Sequence, residues 1–188
     1  PGLSADGLRF SPPAAARGAA AVLGERAPEG ELPDVRVASA RQALALASAN
    51  WFGRPAEKMT MIGITGTNGK TTSTYLLKHI LEQTLGAKVG LVGTIQNLIG
   101  DEALPTERTT PESYELQGLF AQMAAAGCTH AVMEVSSHAL TLDRVAGVHF
   151  AVGLFTNLTE DHLDFHKDME DYCDAKAKLF QMCDTGCV

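Results

Sequence analysis

The segment Gly66-Thr67-Asn68-Gly69-Lys70-Thr71-Thr72 carries the residue types that hold a polyphosphate. Gly66 and Gly69 let the backbone turn tightly and bring its N–H groups onto phosphate oxygens at the positive end of a helix. Lys70 supplies a point charge for the outer phosphates, and the Thr71 hydroxyl is placed to ligate Mg²⁺. The common phosphate-loop rule, G-x-x-x-x-G-K-[ST], asks for glycine at position 64, where this chain has Ile64. A plain glycine turn is the alternative reading; an apolar strand before the loop and an amphipathic helix after it favour phosphate binding.

Further polar groups fall at the ends of apolar runs. Ala131-Val132-Met133 ends in Glu134, a carboxylate at a strand's carboxyl end, where it could ligate Mg²⁺ or simply be solvated. Asn157-Leu158-Thr159-Glu160-Asp161-His162-Leu163-Asp164-Phe165-His166 follows another apolar strand. His162 and His166 stand at i, i+4, but H-E-x-x-H is absent, and a solvated acidic loop describes His166 better than His162. Thr109-Thr110-Pro111-Glu112 reads as a helix start with a Thr cap and Pro at its first position, and its free N–H groups could also meet an anion. Ser136 reads as the cap of a short helix, and Arg144 as either a bidentate grip on a carboxylate or phosphate or a surface pair. Lys176, taken by residue type alone, is a surface lysine.

The elements that position these groups alternate. Strands are predicted at Met59–Thr65, Lys88–Val92, His130–Val135 and Phe150–Phe155, and helices at Lys70–Leu85, Glu112–Ala126, Ser137–Asp143 and Met169–Met182, with a loop from 93 to Pro111. Such alternation predicts an α/β fold, a parallel sheet flanked by helices, with ligands at the carboxyl ends of the strands. Upstream, helical stretches at Pro12–Leu23 and Ser39–Phe52 surround a short apolar segment, Val35–Ala38. Gly53-Arg54-Pro55-Ala56-Glu57-Lys58 reads as a linker, giving domains 1–56 and 57–188.

The chain has 188 residues and a net charge of −7, which argues against a broad nucleic-acid or anionic-membrane surface. No apolar run reaches the roughly 20 residues that span a bilayer, so a cytoplasmic address is expected. Cys128, Cys173, Cys183 and Cys187 lack paired C-x-x-C spacing and are expected to be reduced thiols.

In chain order, G-T-N-G-K-T-T at 66–72, T-T-P at 109–111, M-E-V-S-S-H-A-L at 133–140, F-T-N-L-T-E-D-H-L-D-F-H at 155–166 and A-K-x-x-L-F at 175–180 resemble the Mur ligases of bacterial cell-wall synthesis. Within that family the likeness is strongest to the branch that joins a diamino acid, meso-diaminopimelate or L-lysine, to UDP-MurNAc-L-Ala-D-Glu. The resemblance implies an ATP-dependent amide ligase working through an acyl phosphate, with ATP and Mg²⁺, in peptidoglycan synthesis. Residues 57–188 would be part of the central ATP-binding domain and 1–56 the remainder of an N-terminal UDP-sugar-binding domain, with the amino-acid-binding domain absent.

Carried over residue by residue, Gly66, Thr67, Asn68, Gly69, Lys70, Thr71 and Thr72 form the ATP loop. Thr71 and Glu134 would bind one Mg²⁺, and Glu134 and His162 a second. Lys176 matches a lysine carried as a carbamate and counted with the metal ligands. Lys70, Glu134, His162 and Lys176 would be catalytic. Leu3, Ser4, Ala5, Thr109, Thr110, Ser136 and Arg144 would contact the muramoyl dipeptide. The likeness also implies a monomer, and these 188 residues alone are expected not to turn over. A nucleotide- or substrate-binding piece without turnover and a general phosphate-loop NTPase are the alternatives.

Overall fold

A computed structural model describes residues 6–28, 30 and 32–187, and the chain divides into two compact units, residues 1–44 and 45–188. In the first, a 3-10 turn at Gly7–Phe10 is capped by Asp6, whose carboxylate accepts the Leu8 N–H at 3.1 Å, and leads into α1 (Ser11–Ala16). β1 (Val22–Gly24) and β2 (Asp34–Arg36) pair in parallel, with Val22 opposite Asp34. The helix expected over Pro12–Leu23 therefore stops early. Gly18 takes a φ of +90°, and the chain leaves for the sheet.

The division falls inside α2 (Ala40–Trp51), upstream of the boundary read near residue 57. The reason is packing within the second unit. Ala45 and Ala49 are buried, the Phe52 ring lies 5.2 Å from Tyr114, and the 3-10 turn Pro55–Lys58 buries Pro55 and Ala56.

The second unit contains, in chain order, β3 (Thr60–Thr65), α3 (Lys70–Leu85), β4 (Val89–Val92), β5 (Asn97–Ile99), β6 (Glu102–Leu104), α4 (Ser113–Ala125), β7 (His130–Glu134), α5 (Ser137–Thr141), β8 (Phe150–Phe155), α6 (Met169–Gln181) and β9 (Cys183–Cys187). Its sheet runs β6-β5-β4-β7-β3-β8-β9; β4, β7, β3, β8 and β9 are parallel, and β5 and β6 add an antiparallel edge. The central strands are apolar on both faces, as a sheet covered on both sides requires. Met61 and Met133 pack with Leu116, Phe120 and Leu179 from α4 and α6, while Ile62, Ile64 and Val132 meet Leu77 and Leu81 of α3 on the other side.

Two features depart from expectation. The stretch after β4 is not an unbroken loop, because Gly100 and Asp101 turn β5 back into β6, with Gly100 at φ +61°. β9 extends the other edge, with Phe150 opposite Cys183. Among the described residues no helix is long and apolar enough to cross a membrane. Cys128, Cys173 and Cys183 are free, and burial pushes the Cys128 thiol upward.

The register brings the carboxyl ends of the strands together. Ile64 lies opposite Glu134, Thr65 opposite Phe155, and Val92 opposite Met133. The segments starting at Gly66, Gly93, Val135 and Thr156 consequently all leave from one edge.

Candidate active site

The turn after β3 is shaped by the segment that follows β8. Gly66 has a φ of +136°, and a Cβ on it would run into the Thr156 hydroxyl and lie 3.1 Å from the Asn157 N. Asn157 accepts the Thr67 N–H with its carbonyl at 2.9 Å and the Asn68 N–H with its side-chain oxygen at 3.0 Å. Its amide group and the Thr156 hydroxyl both donate to the Asn68 carbonyl, at 3.1 and 2.7 Å. Thr67 is held by the Thr159 N–H at 3.1 Å and stands 3.2 Å from the Tyr172 hydroxyl. Gly69, at φ +85°, starts α3 with no side chain capping its N-terminus, and Thr72 is exposed in the first turn. The Lys70 ammonium donates to the Gly66 and Thr67 carbonyls at 2.9 and 2.8 Å. Burial lowers its pKa, and the charges of Glu134 and Asp161 oppose that shift. An uncapped helix start and a lysine parked on two carbonyls are a ready anion site.

Glu134, only 1% exposed, ends β7 beside this loop. One of its oxygens accepts the Thr71 hydroxyl and the Thr94 N–H, both at 2.9 Å, and the other accepts the Thr94 hydroxyl at 3.0 Å. Gly93 makes the approach possible, since a Cβ there would sit 2.6 Å from Glu134 Oε1. Among the described residues, no group of three or more His, Cys, Asp or Glu could hold a metal ion. The Thr71 hydroxyl and Glu134 carboxylate nonetheless fit a hard cation such as Mg²⁺, which takes one or two carboxylates and fills the rest of its shell with phosphate and water.

The Thr109–Arg144 group lies on the far side of Glu134. Thr109 Oγ1 is 3.0 Å from Thr94 Oγ1. The buried Thr110 hydroxyl donates to the Glu134 carbonyl at 2.9 Å and accepts the Ser136 N–H at 3.2 Å. Arg144 donates to the Thr110 carbonyl at 3.2 Å and pairs with Glu112 at 2.7 Å. Ser136 caps α5 as expected, accepting the Ala139 N–H. The helix start at 109–112 differs, because Glu112 is the cap of α4 and forms a reciprocal capping box with Glu115, which leaves Pro111 outside the helix. Arg108, Pro111, Glu115 and Leu119 help line a cavity of about 240 Å³ next to Thr109.

Lys176 is not a surface lysine. It is 2% exposed, on the face of α6 that also buries Tyr172, Ala175 and Leu179, and it donates to the Gly66 carbonyl at 2.8 Å while lying 4.2 Å from the centre of the Tyr172 ring. Burial, and then Lys70, push its pKa down to about 8. The helical spacing 172-175-176-179 was the signal available for this.

His166 also reverses expectation. It is 2% exposed, its Nε2 lies 2.9 Å from Ser137 Oγ, and its Nδ1 lies 3.1 Å from Asp171 Oδ2. His162 is the exposed member of the pair; it has a φ of +55° and lies edge-on to His138 at 4.9 Å. His138 in turn stacks on Phe165 at 4.0 Å, and burial together with His162, His166 and Arg144 lowers its pKa. Thr94, Thr156 and Tyr172 are site residues that sequence reasoning missed, and Asn157, named only as the start of the polar cluster, was given no role. For Thr94 a G-T pair at a strand's carboxyl end was a usable signal. Leu3, Ser4 and Ala5 lie outside the described residues.

Residues 64–188 match the Mur ligase middle domain. The chain is 49% identical over 185 residues to the UDP-N-acetylmuramoyl-L-alanyl-D-glutamate–2,6-diaminopimelate ligase of Clostridium tetani, covering 96% of this chain and 38% of that protein. It is 51% identical over 190 residues to the enzyme of the same name from Caldanaerobacter subterraneus, covering all of this chain and 39% of that protein. A solved structure of a ligase of that name superposes with a TM-score of 0.81 at 30% identity, over 95% of this chain and 37% of that one. The MurF ligase of Thermotoga maritima, solved with ADP, shares the fold at a TM-score of 0.57 and 22% identity, over 98% of this chain and 39% of that one. The chain thus spans under two fifths of the proteins it matches, and it belongs to the Mur ligase family.

Proposed function

We propose that this chain forms part of an ATP-dependent ligase that joins a diamino acid, meso-diaminopimelate or L-lysine, to UDP-MurNAc-L-Ala-D-Glu in peptidoglycan synthesis. The observation that carries this reading is the sharing of one buried carboxylate: Glu134 bonds Thr71 of the phosphate loop on one side and Thr94, next to Thr109, on the other. A nucleotide and an acceptor held on the two sides would meet at Glu134. The names of the relatives at about half identity support the acceptor and, of the two diamino acids, diaminopimelate.

The γ-carboxylate of the D-glutamyl residue attacks the γ-phosphorus of ATP; the bond to the bridging oxygen breaks, leaving ADP and an acyl phosphate. The amine then adds to the acyl carbon, and phosphate leaves as the amide forms. No side-chain nucleophile is needed, so the residues position groups and balance charge. Within the Gly66–Thr72 loop, Thr67 and Asn68 give their N–H groups to Asn157, so the uncapped N–H groups from Gly69 to Thr72 receive the phosphates, and Lys70 exchanges its two carbonyls for phosphate oxygens. Mg²⁺, when bound, would neutralise charge building on the transferring phosphoryl group, and Thr71 and Glu134 are the residues that would hold it. His162 is assigned to a second ion with Glu134.

Lys176 is assigned as a carbamate. Its neutral amine would attack CO₂ at carbon and lose a proton, and the lowered pKa supplies that neutral form near pH 8. The product is an anion where the structure has a cation beside Lys70, which suits a site that holds divalent metal. Thr109, Thr110, Ser136 and Arg144 would position the dipeptide; Leu3, Ser4 and Ala5 would approach it from an N-terminal UDP-sugar-binding part, residues 1–56, ahead of the ATP-binding part, residues 57–188. The proposed enzyme is a monomer acting in the cytoplasm, which supplies both ATP and the UDP-linked acceptor.

The test is full-length protein incubated with ATP, UDP-MurNAc-L-Ala-D-Glu and either diamino acid. Formation of ADP and an amide product that depends on both substrates is expected. Phosphate release indifferent to both would replace the ligase by a simple NTPase.

A further inference from the structure

We propose that Thr94 is a positioning residue that ties Thr109 to Glu134 and commits the Thr109 hydroxyl to accept, so that the acceptor substrate meets Thr109 with an amide N–H. The inference rests on the reading above that Thr109 faces the acceptor.

The polarity follows from counting protons. A carboxylate offers acceptors only, and a hydroxyl has one proton to give. The Thr94 hydroxyl spends its proton on Glu134 Oε2 at 3.0 Å. The 3.0 Å contact between Thr94 Oγ1 and Thr109 Oγ1 must then be made by the Thr109 proton. Thr109 is left able only to accept. A substrate carboxylate or phosphate oxygen set against it would be repelled, whereas a secondary amide N–H would be bound.

Thr94 is well anchored for such a role. Its backbone N–H is bonded to the same carboxylate at 2.9 Å, and glycine at 93 is required for the turn to pass Glu134 so closely. The residue is exposed, so its methyl group does not pack in the core, and its hydroxyl bonds are its main contribution. Of the amides in the proposed acceptor, the one between L-Ala and D-Glu lies nearest the reacting carboxylate, and it is the one we assign to Thr109.

The experiment uses the full-length protein with Thr94→Val, Thr94→Ser, Thr109→Val and the Thr94→Val/Thr109→Val pair. It also uses an acceptor in which an ester oxygen replaces the L-Ala–D-Glu N–H. Thr94→Val removes the hydroxyl bonds to Glu134 and Thr109; the consequence for the acceptor, the loss of one neutral hydrogen bond at Thr109, predicts a rise of about tenfold in its KM. The ATP KM should move less than about threefold, and Thr94→Ser should restore the wild-type value to a similar margin. Residues acting through one another are not additive, so the double variant should be no worse than Thr109→Val. The ester acceptor should bind more weakly to wild type and equally to Thr109→Val. Unchanged acceptor KM in Thr94→Val, a multiplicative double loss, a parallel rise in ATP KM, or indifference of wild type to the ester would each overturn the proposal. Absence of any ligation by wild type would instead overturn the ligase reading on which it rests.

Discussion

Lys70 and Lys176, 106 positions apart in the chain, donate to the same acceptor: their ammonium groups lie 2.9 and 2.8 Å from the Gly66 carbonyl oxygen. Two cations on one carbonyl is an arrangement that charge repulsion opposes, and burial adds to the cost. Both groups have lowered pKa values, Lys176 down to about 8. The pair is at ease only when one charge is removed, by deprotonation or modification, or when an anion joins them.

Stability should therefore depend on pH through Lys176. Its folded pKa of about 8 lies below the 10.5 of an unperturbed lysine, so between those values the unfolded chain holds more protons than the folded one. Stability contributed by the neutral amine is present above 10.5, declines as pH falls, and is gone below about 8. Urea unfolding from pH 7 to 10 should show wild type gaining on Lys176→Met across this window. Parallel curves would show that the amine is not perturbed. In bicarbonate, intact mass of wild type should rise by the mass of CO₂, with no such gain in Lys176→Met.

Gly66→Ala should damage both fold and loop. Its φ of +136° is hostile to any side chain, and the added Cβ meets the Thr156 hydroxyl as well as the Asn157 backbone at 3.1 Å. Trimming Thr156 cannot relieve the backbone contact. A loss of about 2–4 kcal/mol by chemical denaturation is expected, from strain plus a broken hydrogen-bond clamp. Nucleotide binding by calorimetry should vanish with it. A variant that unfolds and binds like wild type would show that the turn relaxes easily.

His166 should be a structural tie. Asp171 is the acceptor at Nδ1, so that nitrogen carries the proton, and Nε2 accepts from the Ser137 hydroxyl. The ring thus joins the first turn of α5 to the first turn of α6. His166→Ala should cost about 2–4 kcal/mol, a buried ring lost together with a stranded Ser137 hydroxyl. The Asp171 carboxyl is held below its ordinary range by His166 and then by the Lys167 N–H. Its contribution is present above the usual carboxylate pKa and fades as pH falls through the depressed value, so acid unfolding of Asp171→Asn should be less steep. Equally steep acid transitions for that variant and wild type would remove the tie.

The course of residues 59–85 was legible because periodicity changes there from strand to helix across a glycine turn, and Glu134 was legible as the polar end of an apolar run. Residue type alone fails at Lys176, which only the resemblance placed in the site, and at His166, for one shared reason. Each is buried by partners remote in sequence, Gly66 and Ser137, and residue type alone assigns a lone lysine or histidine in an acidic loop to solvent. β5 and β6 are three residues long and too short for alternation to show, although Gly100-Asp101 is a hairpin signal. β9 reads C-D-T-G-C, which has no strand pattern, and it forms because β8 offers it an edge.

Arg144 is the residue whose replacement should separate acceptor binding from nucleotide binding. Its guanidinium spans the Thr110 carbonyl at 3.2 Å and Glu112 at 2.7 Å, while its buried Nε has no partner. The fork holds the 109–112 segment in place and keeps one donor in reserve. Lysine is a point charge and cannot make both contacts at once, so Arg144→Lys should loosen Thr110, whose hydroxyl bonds the Glu134 carbonyl. A charge-assisted bond lost in this way predicts an acceptor KM raised by roughly 10- to 100-fold. The ATP KM should stay near wild type, because Glu134 reaches the phosphate loop through its side chain and Thr71 rather than through Arg144. Equal rises in both constants would mean that Arg144 supports the whole edge of the sheet and does not serve the acceptor.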